Sequence, residues 1–305
     1  MKTHVPPVKI WIWVLVTFFL LQLIVILYYN DRKHSSVNEN SFLSQLSDMK
    51  RAFVQKDKPT YKAVIIGSSL VANGVACPDE IEGILAEYPT KNIVLNKIWK
   101  PNDQFKQLVE KNKIIDELLS LKPDLVCIQT ELAAIGYNEI EKHFYTDFQK
   151  YVQTLAFRNT TLVKDVFKIG KADFIKCKDN FIDFEVMEDS MKFRPLKRFV
   201  KNNTEVQFVV EQLKTLKKAG IKVVLVDIPR PQQVEKMMYA EPFRRNLIAC
   251  LNIYQHDNEI PLWSYTGTPM YFKYFYDGGH LNKEGRHLFT KNLLEKIIKE
   301  MEAKK

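Results

Sequence analysis

Asp277 and His280 stand three residues apart in "YFYDGGHLNKEGRHLF", with two glycines between them and the last predicted helix just beyond. So short a turn can fold the carboxylate back onto the imidazole Nδ1. That contact fixes the tautomer and leaves Nε2 free to take a proton from a hydroxyl. The same letters also describe an ordinary loop with a solvent-exposed histidine, since short motifs recur by chance. A second group, Gly67-Ser68-Ser69, closes the apolar run "YKAVIIG". A serine there sits on the edge of a parallel sheet where ligands bind, although Ser at a strand-to-helix turn commonly serves as a cap. The turn is not a phosphate loop, because no G-x-x-x-x-G-K-[ST] or G-x-G-x-x-G follows. Nor is it a G-x-S-x-G elbow, because Ser69 is followed by Leu70 and Val71.

The surrounding elements place these two groups in one domain. Apolar runs at "YKAVIIG", "NIVLN", "PDLVCIQ", "IKVVLVDIP" and "IPLWSYT" predict strands. Between them lie helical patterns, among them "CPDEIEGILAEY", one long helix over "NDQFKQLVEKNKIIDELLSL", and "VQFVVEQLKTLKKAG" closed by Gly220. Strands alternating with helices imply an α/β fold with a central parallel sheet covered on both faces. Residues 137–200, rich in aromatic and basic side chains, interrupt the rhythm and read as a helical insertion or as a wall over the sheet edge. Asn282 is placed to cap the last helix and Leu281 to anchor its turn.

Ahead of the domain, Ile10 to Tyr29 is an uncharged apolar span of the length that crosses a bilayer, with Trp11 and Trp13 at one end and Tyr28 and Tyr29 at the other. No A-x-A cleavage pattern follows, so the expected division is a tail over 1–9, a retained signal anchor over 10–29, a stalk over 30–59 and the α/β domain over 60–305. Lys2 and Lys9 on one side nearly balance Arg32 and Lys33 on the other. The N-terminus is assigned inside, with the C-terminal domain extracytoplasmic, because long domains translocate largely regardless of flanking charge.

The net charge of +9 comes from lysines spread along the chain without a dense basic block, which argues against a nucleic-acid partner. The cysteines at 77, 127, 177 and 250 lack CxxC spacing, and His143, His256 and His287 lack metal-ligand spacing, so no metal and no cofactor is expected. Asp227 ends a strand beside Pro229-Arg230-Pro231, where Arg230 would either bind an anion or form an ion pair.

Taken together, the serine turn and the D-x-x-H turn resemble the two ends of the SGNH (GDSL-type) hydrolase superfamily. Gly67-Ser68-Ser69 is similar to its first block, with Ser68 where aspartate is usual, and Asp277-Gly278-Gly279-His280-Leu281-Asn282 with Gly285 is similar to its last. The resemblance runs from about Lys62 to Lys299. The Gly-Ser-Ser form and the N-terminal anchor look like the branch holding the DltD-like and other envelope acyl-transfer proteins, some of which act beside membrane-bound O-acyltransferases. The resemblance implies a flavodoxin-like three-layer sandwich, with Ser69 as nucleophile, His280 as general base and then acid, and Asp277 as its orienting partner. It implies an acyl group held on Ser69 and passed to water or to a hydroxyl of a cell-envelope glycan or lipid-linked sugar. A membrane-bound O-acyltransferase is a further partner that it suggests.

The second and third blocks depart from the pattern. "NKIWKPNDQ" has no glycine where one is usual, and "IQTELAAIG" has no asparagine. Oxyanion donors are therefore sought at the backbone of Ser69 and at Asn73, Asn102, Gln129 and Thr130. The same departures suit a rival reading, in which the domain has diverged from catalysis and binds glycan or scaffolds an acyltransferase. A cytosol-facing lipid esterase is a third.

Overall fold

The computed structural model describes residues 7–54, 60–89, 92–100, 104–137, 198–265, 272–276 and 279–304. Five strands form one parallel sheet: β1 (Tyr61–Gly67), β2 (Ile93–Trp99), β3 (Leu125–Gln129), β6 (Lys222–Val226) and β7 (Leu262–Trp263). Their order is β2-β1-β3-β6-β7. Counted within the sheet this is 2-1-3-4-5, the flavodoxin-like order. The direction of winding reverses between β1 and β3, and in open α/β sheets ligands bind beyond the carboxyl ends of the strands at such a switch point. Ser68 and Ser69 follow β1 directly, and Thr130 follows β3.

β3 is buried at every position, as a central parallel strand with both faces covered must be. On one face, Ala63, Ile65, Leu125, Cys127, Val224 and Val226 pack with Leu281, Phe289, Leu293 and Ile297. By the strand's period of two, Val64, Ile66, Val126, Ile128, Val223 and Leu225 turn to the other face, and all are buried.

The helices flanking the sheet are α2 (Ser69–Gly74), α3 (Pro78–Leu85), α4 (Phe105–Glu110), α5 (Ile114–Leu121), α6 (Thr130–Ala134), α7 (Asn203–Lys218), α8 (Gln232–Met238), α9 (Phe243–Asn252) and α10 (Lys283–Ala303). Helix α7 starts at a reciprocal capping box between Asn202 and Glu205. It ends in a Schellman turn: the Gly220 N–H donates to the Lys217 carbonyl and the Ile221 N–H to the Leu216 carbonyl. Gly220 takes φ +81°, where a side chain is disfavoured.

Three boundaries differ from the sequence reading. The single helix expected over 102–121 is two, α4 and α5, because Lys113 adopts a left-handed φ of 53° between them. β2 continues to Trp99, since β1 keeps pairing with it until Gly67 lies opposite Trp99. The α/β unit also begins before residue 60. The chain divides into two compact units, Met1–Leu43 with Ile140–Ala172 and Ser44–Glu139 with Asp173–Lys305.

Helix α1 runs from Val8 to Val54. Its last turns bury Leu46, Met49 and Phe53, spaced three and four apart on one face. The Gln45 amide donates to the Trp99 carbonyl at 3.2 Å and accepts from the Trp99 N–H at 2.8 Å, so it pairs with the outer strand β2 as another strand would. The end of the segment expected as a stalk is therefore part of the α/β unit.

Among the described residues no helix is long and apolar enough to cross a membrane. The described side chains at the start of α1 cover 7–23, and the remainder of the expected span, 24–29, lies outside them. Of the insertion, the edges are described: β4 (Ile135–Tyr137) pairs antiparallel with β5 (Arg198–Val200), which brings its two ends together. Residues 138–197 lie outside the described set.

Candidate active site

β1 ends on Gly67 for a steric reason. A Cβ there would lie 2.2 Å from Val71 Cγ2 and 2.4 Å from Gln129 Oε1. The absent side chain lets Gln129, at the end of β3, reach across and grip the next residue. Gln129 Oε1 accepts from the Ser68 N–H at 2.7 Å and from the Ser68 hydroxyl at 3.0 Å. A backbone N–H can only donate, so the amide orientation of Gln129 is set by chemistry. Ser68 Oγ in turn accepts from the Leu70 N–H at 3.3 Å, capping α2. The two hydroxyls of the Gly-Ser-Ser turn thus differ in role: Ser68 is the cap, and Ser69 is the first residue of the helix.

The Ser69 Oγ lies 2.9 Å from His280 Nε2, across 211 residues of sequence. This is the one pairing that the separate serine and histidine motifs needed. His280 is held in a hairpin. Phe275 bridges Leu281, the Tyr276 N–H donates to the His280 carbonyl at 3.1 Å, and the Asn282 N–H donates to the Tyr274 carbonyl at 2.9 Å. Asn282 caps α10 through the Gly285 N–H at 3.0 Å, and Leu281 is buried in the core. The Tyr276 ring lies nearly parallel to the imidazole, with centroids 5.5 Å apart and planes 14° apart. Asp277 lies outside the described residues, as do Gly278 and Asn102.

The two halves of the site are tied together away from the chemistry. The Ala76 N–H, just after α2, donates to Thr290 Oγ1 of α10 at 2.9 Å. Arg286 pairs with Glu80 at 2.7 Å. The Lys97 ammonium donates to the Ala72 and Val75 carbonyls, placing a positive charge at the carboxyl end of the helix that Ser69 begins.

The oxyanion candidates separate. The Ser69 N–H is in the first turn of α2, where backbone donors have no intrahelical acceptor. Asn73 Nδ2 donates to the Ser69 carbonyl at 2.7 Å, one turn back, so its amide supports the helix. Gln129 is 1% exposed, and its Nε2 has no partner among the described residues; Thr130 Oγ1, also buried, has none either. A buried amide N–H left unmade costs about 1–3 kcal/mol, so Gln129 Nε2 is an unsatisfied donor among the described residues. His256 and His287 are exposed on the surface, and His143 lies outside the described residues.

Sequence reasoning passed over Glu131. Within "IQTELAAIG" it is buried against Arg230, with Oε1 accepting from Arg230 Nη2 at 2.7 Å and Nε at 3.0 Å. Of the two roles open to Arg230, the structure shows the ion pair. Nearby, burial pushes the Asp227 carboxyl up to about 7, the Glu235 and Glu131 carboxylates add to that, and the Arg230 guanidinium opposes it. The folded chain therefore holds this proton more tightly than the unfolded chain. The stability it contributes is complete below about pH 4 and is lost as pH rises through about 7. Asp227→Asn, which stays neutral, will gain stability over wild type on the order of 2–4 kcal/mol at pH 8 and little at pH 4. Denaturant midpoints at the two pH values check this.

No family model matches this sequence, and no curated protein matches it. Solved structures do. An acetyl xylan esterase aligns at 15% identity over 77% of this chain and 99% of its own, with a TM-score of 0.40. A catalytic mutant of the acetylxylan esterase Axe2 from Geobacillus stearothermophilus aligns at 13% identity over 79% and 96%, with a TM-score of 0.43. The lipase/acylhydrolase from Enterococcus faecalis aligns at 12% identity over 78% and 95%, with a TM-score of 0.40.

Proposed function

We propose that this chain is a serine-dependent acyl esterase or O-acyltransferase. The observation that carries the reading is the 2.9 Å contact between Ser69 Oγ and His280 Nε2 at the carboxyl edge of the sheet. A hydroxyl and an imidazole at that distance are poised for proton transfer.

In the first half-reaction Ser69 Oγ attacks the acyl carbonyl as its proton passes to His280 Nε2. The negative oxygen of the tetrahedral intermediate faces donors at the amino end of α2: the Ser69 N–H and the Gln129 amide serve it. The intermediate collapses with departure of the alcohol, which takes the proton back from His280 Nε2, and the acyl group remains on Ser69. In the second half-reaction His280 takes a proton from water or from an acceptor hydroxyl, whose oxygen attacks the acyl-serine. Asp277, three residues before His280, is assigned to Nδ1, where it would stabilise the imidazolium that forms. Hydrolysis and transfer share the acyl-enzyme and differ in the acceptor that reaches it.

The substrate class we assign is an acylated cell-envelope glycan or lipid-linked sugar, with the chain anchored in a membrane by α1 and its C-terminal domain extracytoplasmic. The support for anchoring is local. Consecutive side chains from Ile10 to Val16, and again from Phe18 to Leu21, are apolar and 40–70% exposed, so the helix is greasy all round rather than along one stripe. Such a surface needs lipid or protein around it.

The test is covalent labelling of the full chain, purified in detergent, with a fluorophosphonate probe. Labelling of wild type that disappears in Ser69→Ala and falls steeply in His280→Ala is the expected result. Label that persists in Ser69→Ala removes the nucleophile. A wild-type chain that never labels favours a non-catalytic partner of a membrane acyltransferase.

A further inference from the structure

His280 is only as well placed as the turn that carries it, and one side of that turn rests on a charge. Arg230 follows β6, and one edge of its guanidinium is held by a single carboxylate oxygen. Nε and Nη2 both donate to Glu131 Oε1, and the Tyr239 hydroxyl donates to the same oxygen. The side chains of Arg230 and Glu131 are 8% and 10% exposed, so the pair is shielded from water and confined to a narrow geometry. The remaining nitrogen, Nη1, faces Gly279, the residue before His280. A Cβ on Gly279 would stand 2.4 Å from Nη1; the next residue it would meet is Leu70, whose Cδ2 lies at an ordinary 3.7 Å. Among the described residues it is Arg230 that stands in the way of a side chain at Gly279.

We infer that Arg230, held by a Glu131 carboxylate that Tyr239 braces in turn, is a positioning residue that fixes the seat of the His280 turn and hence the Ser69–His280 distance. The inference rests on the serine–histidine reading above. Proton transfer demands close geometry, and a displacement of about 1 Å can cost on the order of 10²-fold in rate. A guanidinium held by its own fork is a stiffer backstop than a lysine ammonium on a flexible stem.

The experiment measures kcat and KM for p-nitrophenyl acetate hydrolysis by the full chain in detergent, with kcat expressed per serine titrated by fluorophosphonate. Arg230→Ala, Glu131→Gln and Gly279→Ala should each lower kcat by about 10–100-fold while KM stays within about twofold. Adding Gly279→Ala to Arg230→Ala should cost nothing more, since the methyl then meets no guanidinium. A role in stability alone would lower the melting temperature and the number of titratable serines, and leave kcat per serine unchanged. Wild-type kcat per serine in Arg230→Ala overturns the inference, as does a double variant in which the two losses multiply. If Arg230→Ala does not fold, Glu131→Gln decides: it keeps the arginine, and wild-type turnover there is equally fatal. Failure of the underlying reading is separate, because then Ser69→Ala itself retains turnover or wild type never labels.

Discussion

Ser69→Ala will lower kcat/KM for p-nitrophenyl acetate by at least about 10³-fold, and His280→Ala by a similar factor. Adding one substitution to the other will cost almost nothing further, because on the proposed mechanism nucleophile and base act as a unit. The reason lies in their contact. With Ser69 Oγ gone, the proton that Nε2 is placed to take no longer exists; with the imidazole gone, the hydroxyl is an unactivated alcohol. Both side chains sit at ends of elements fixed elsewhere, Ser69 on a helix capped by Ser68 and His280 on a bridged hairpin. Removing either functional group leaves the scaffold standing, so melting temperatures should stay within a few degrees of wild type. Steady-state kinetics on the single and double variants, beside thermal unfolding, check both statements. Losses that multiply would mean that the two side chains serve different steps.

Gly67→Ala will damage fold and site together, with stability falling by about 2–4 kcal/mol. The added methyl would overlap Val71 Cγ2 at 2.2 Å and Gln129 Oε1 at 2.4 Å. Neither neighbour yields easily. Val71 is fully buried and branched at Cβ, and Gln129 is 1% exposed and fixed by two hydrogen bonds. Relief comes from pushing Gln129 away, which frees the Ser68 backbone and, on the proposed mechanism, removes an oxyanion donor. Gln129→Ala in the same background separates the two effects. It removes the amide oxygen at 2.4 Å but leaves Val71 Cγ2, so the double variant should recover part of the stability while activity stays low. Urea unfolding measured beside acetate-ester turnover reads both. A Gly67→Ala chain with unchanged midpoint and turnover would show that the turn rearranges freely.

The strands were readable because buried parallel strands are nearly continuous apolar runs, and "YKAVIIG" and "LVCIQ" have no other plausible fate. The serine and histidine were readable because each lies within two residues of a glycine at an element's end. The grip of Gln129 on Ser68 was not. It joins residues 61 positions apart, and a glutamine at a strand's end carries no periodic or capping signal. Glu131 was invisible for the same reason: a carboxylate in an apolar stretch becomes meaningful only when the partner that neutralises it, 99 residues away, is known. The break at Lys113 was missed because a lysine in left-handed conformation leaves no trace in composition. Long-range polar pairing, more than packing, is what one sequence conceals.

The amide of Gln45 has a consequence for how copies of this chain behave in company. β2 is the outermost strand of the sheet, and an uncovered strand edge is a template on which another molecule's backbone can pair. The two hydrogen bonds between Gln45 and Trp99, one donated by each, with Leu46 and Met49 buried in the same helix turns, block that edge at its carboxyl end. A fragment cut to start at Tyr61 would keep every residue of the candidate site and lose this stopper. It would be prone to stack edge to edge into aggregates, whereas a fragment beginning near Ser44 carries its own guard against self-association.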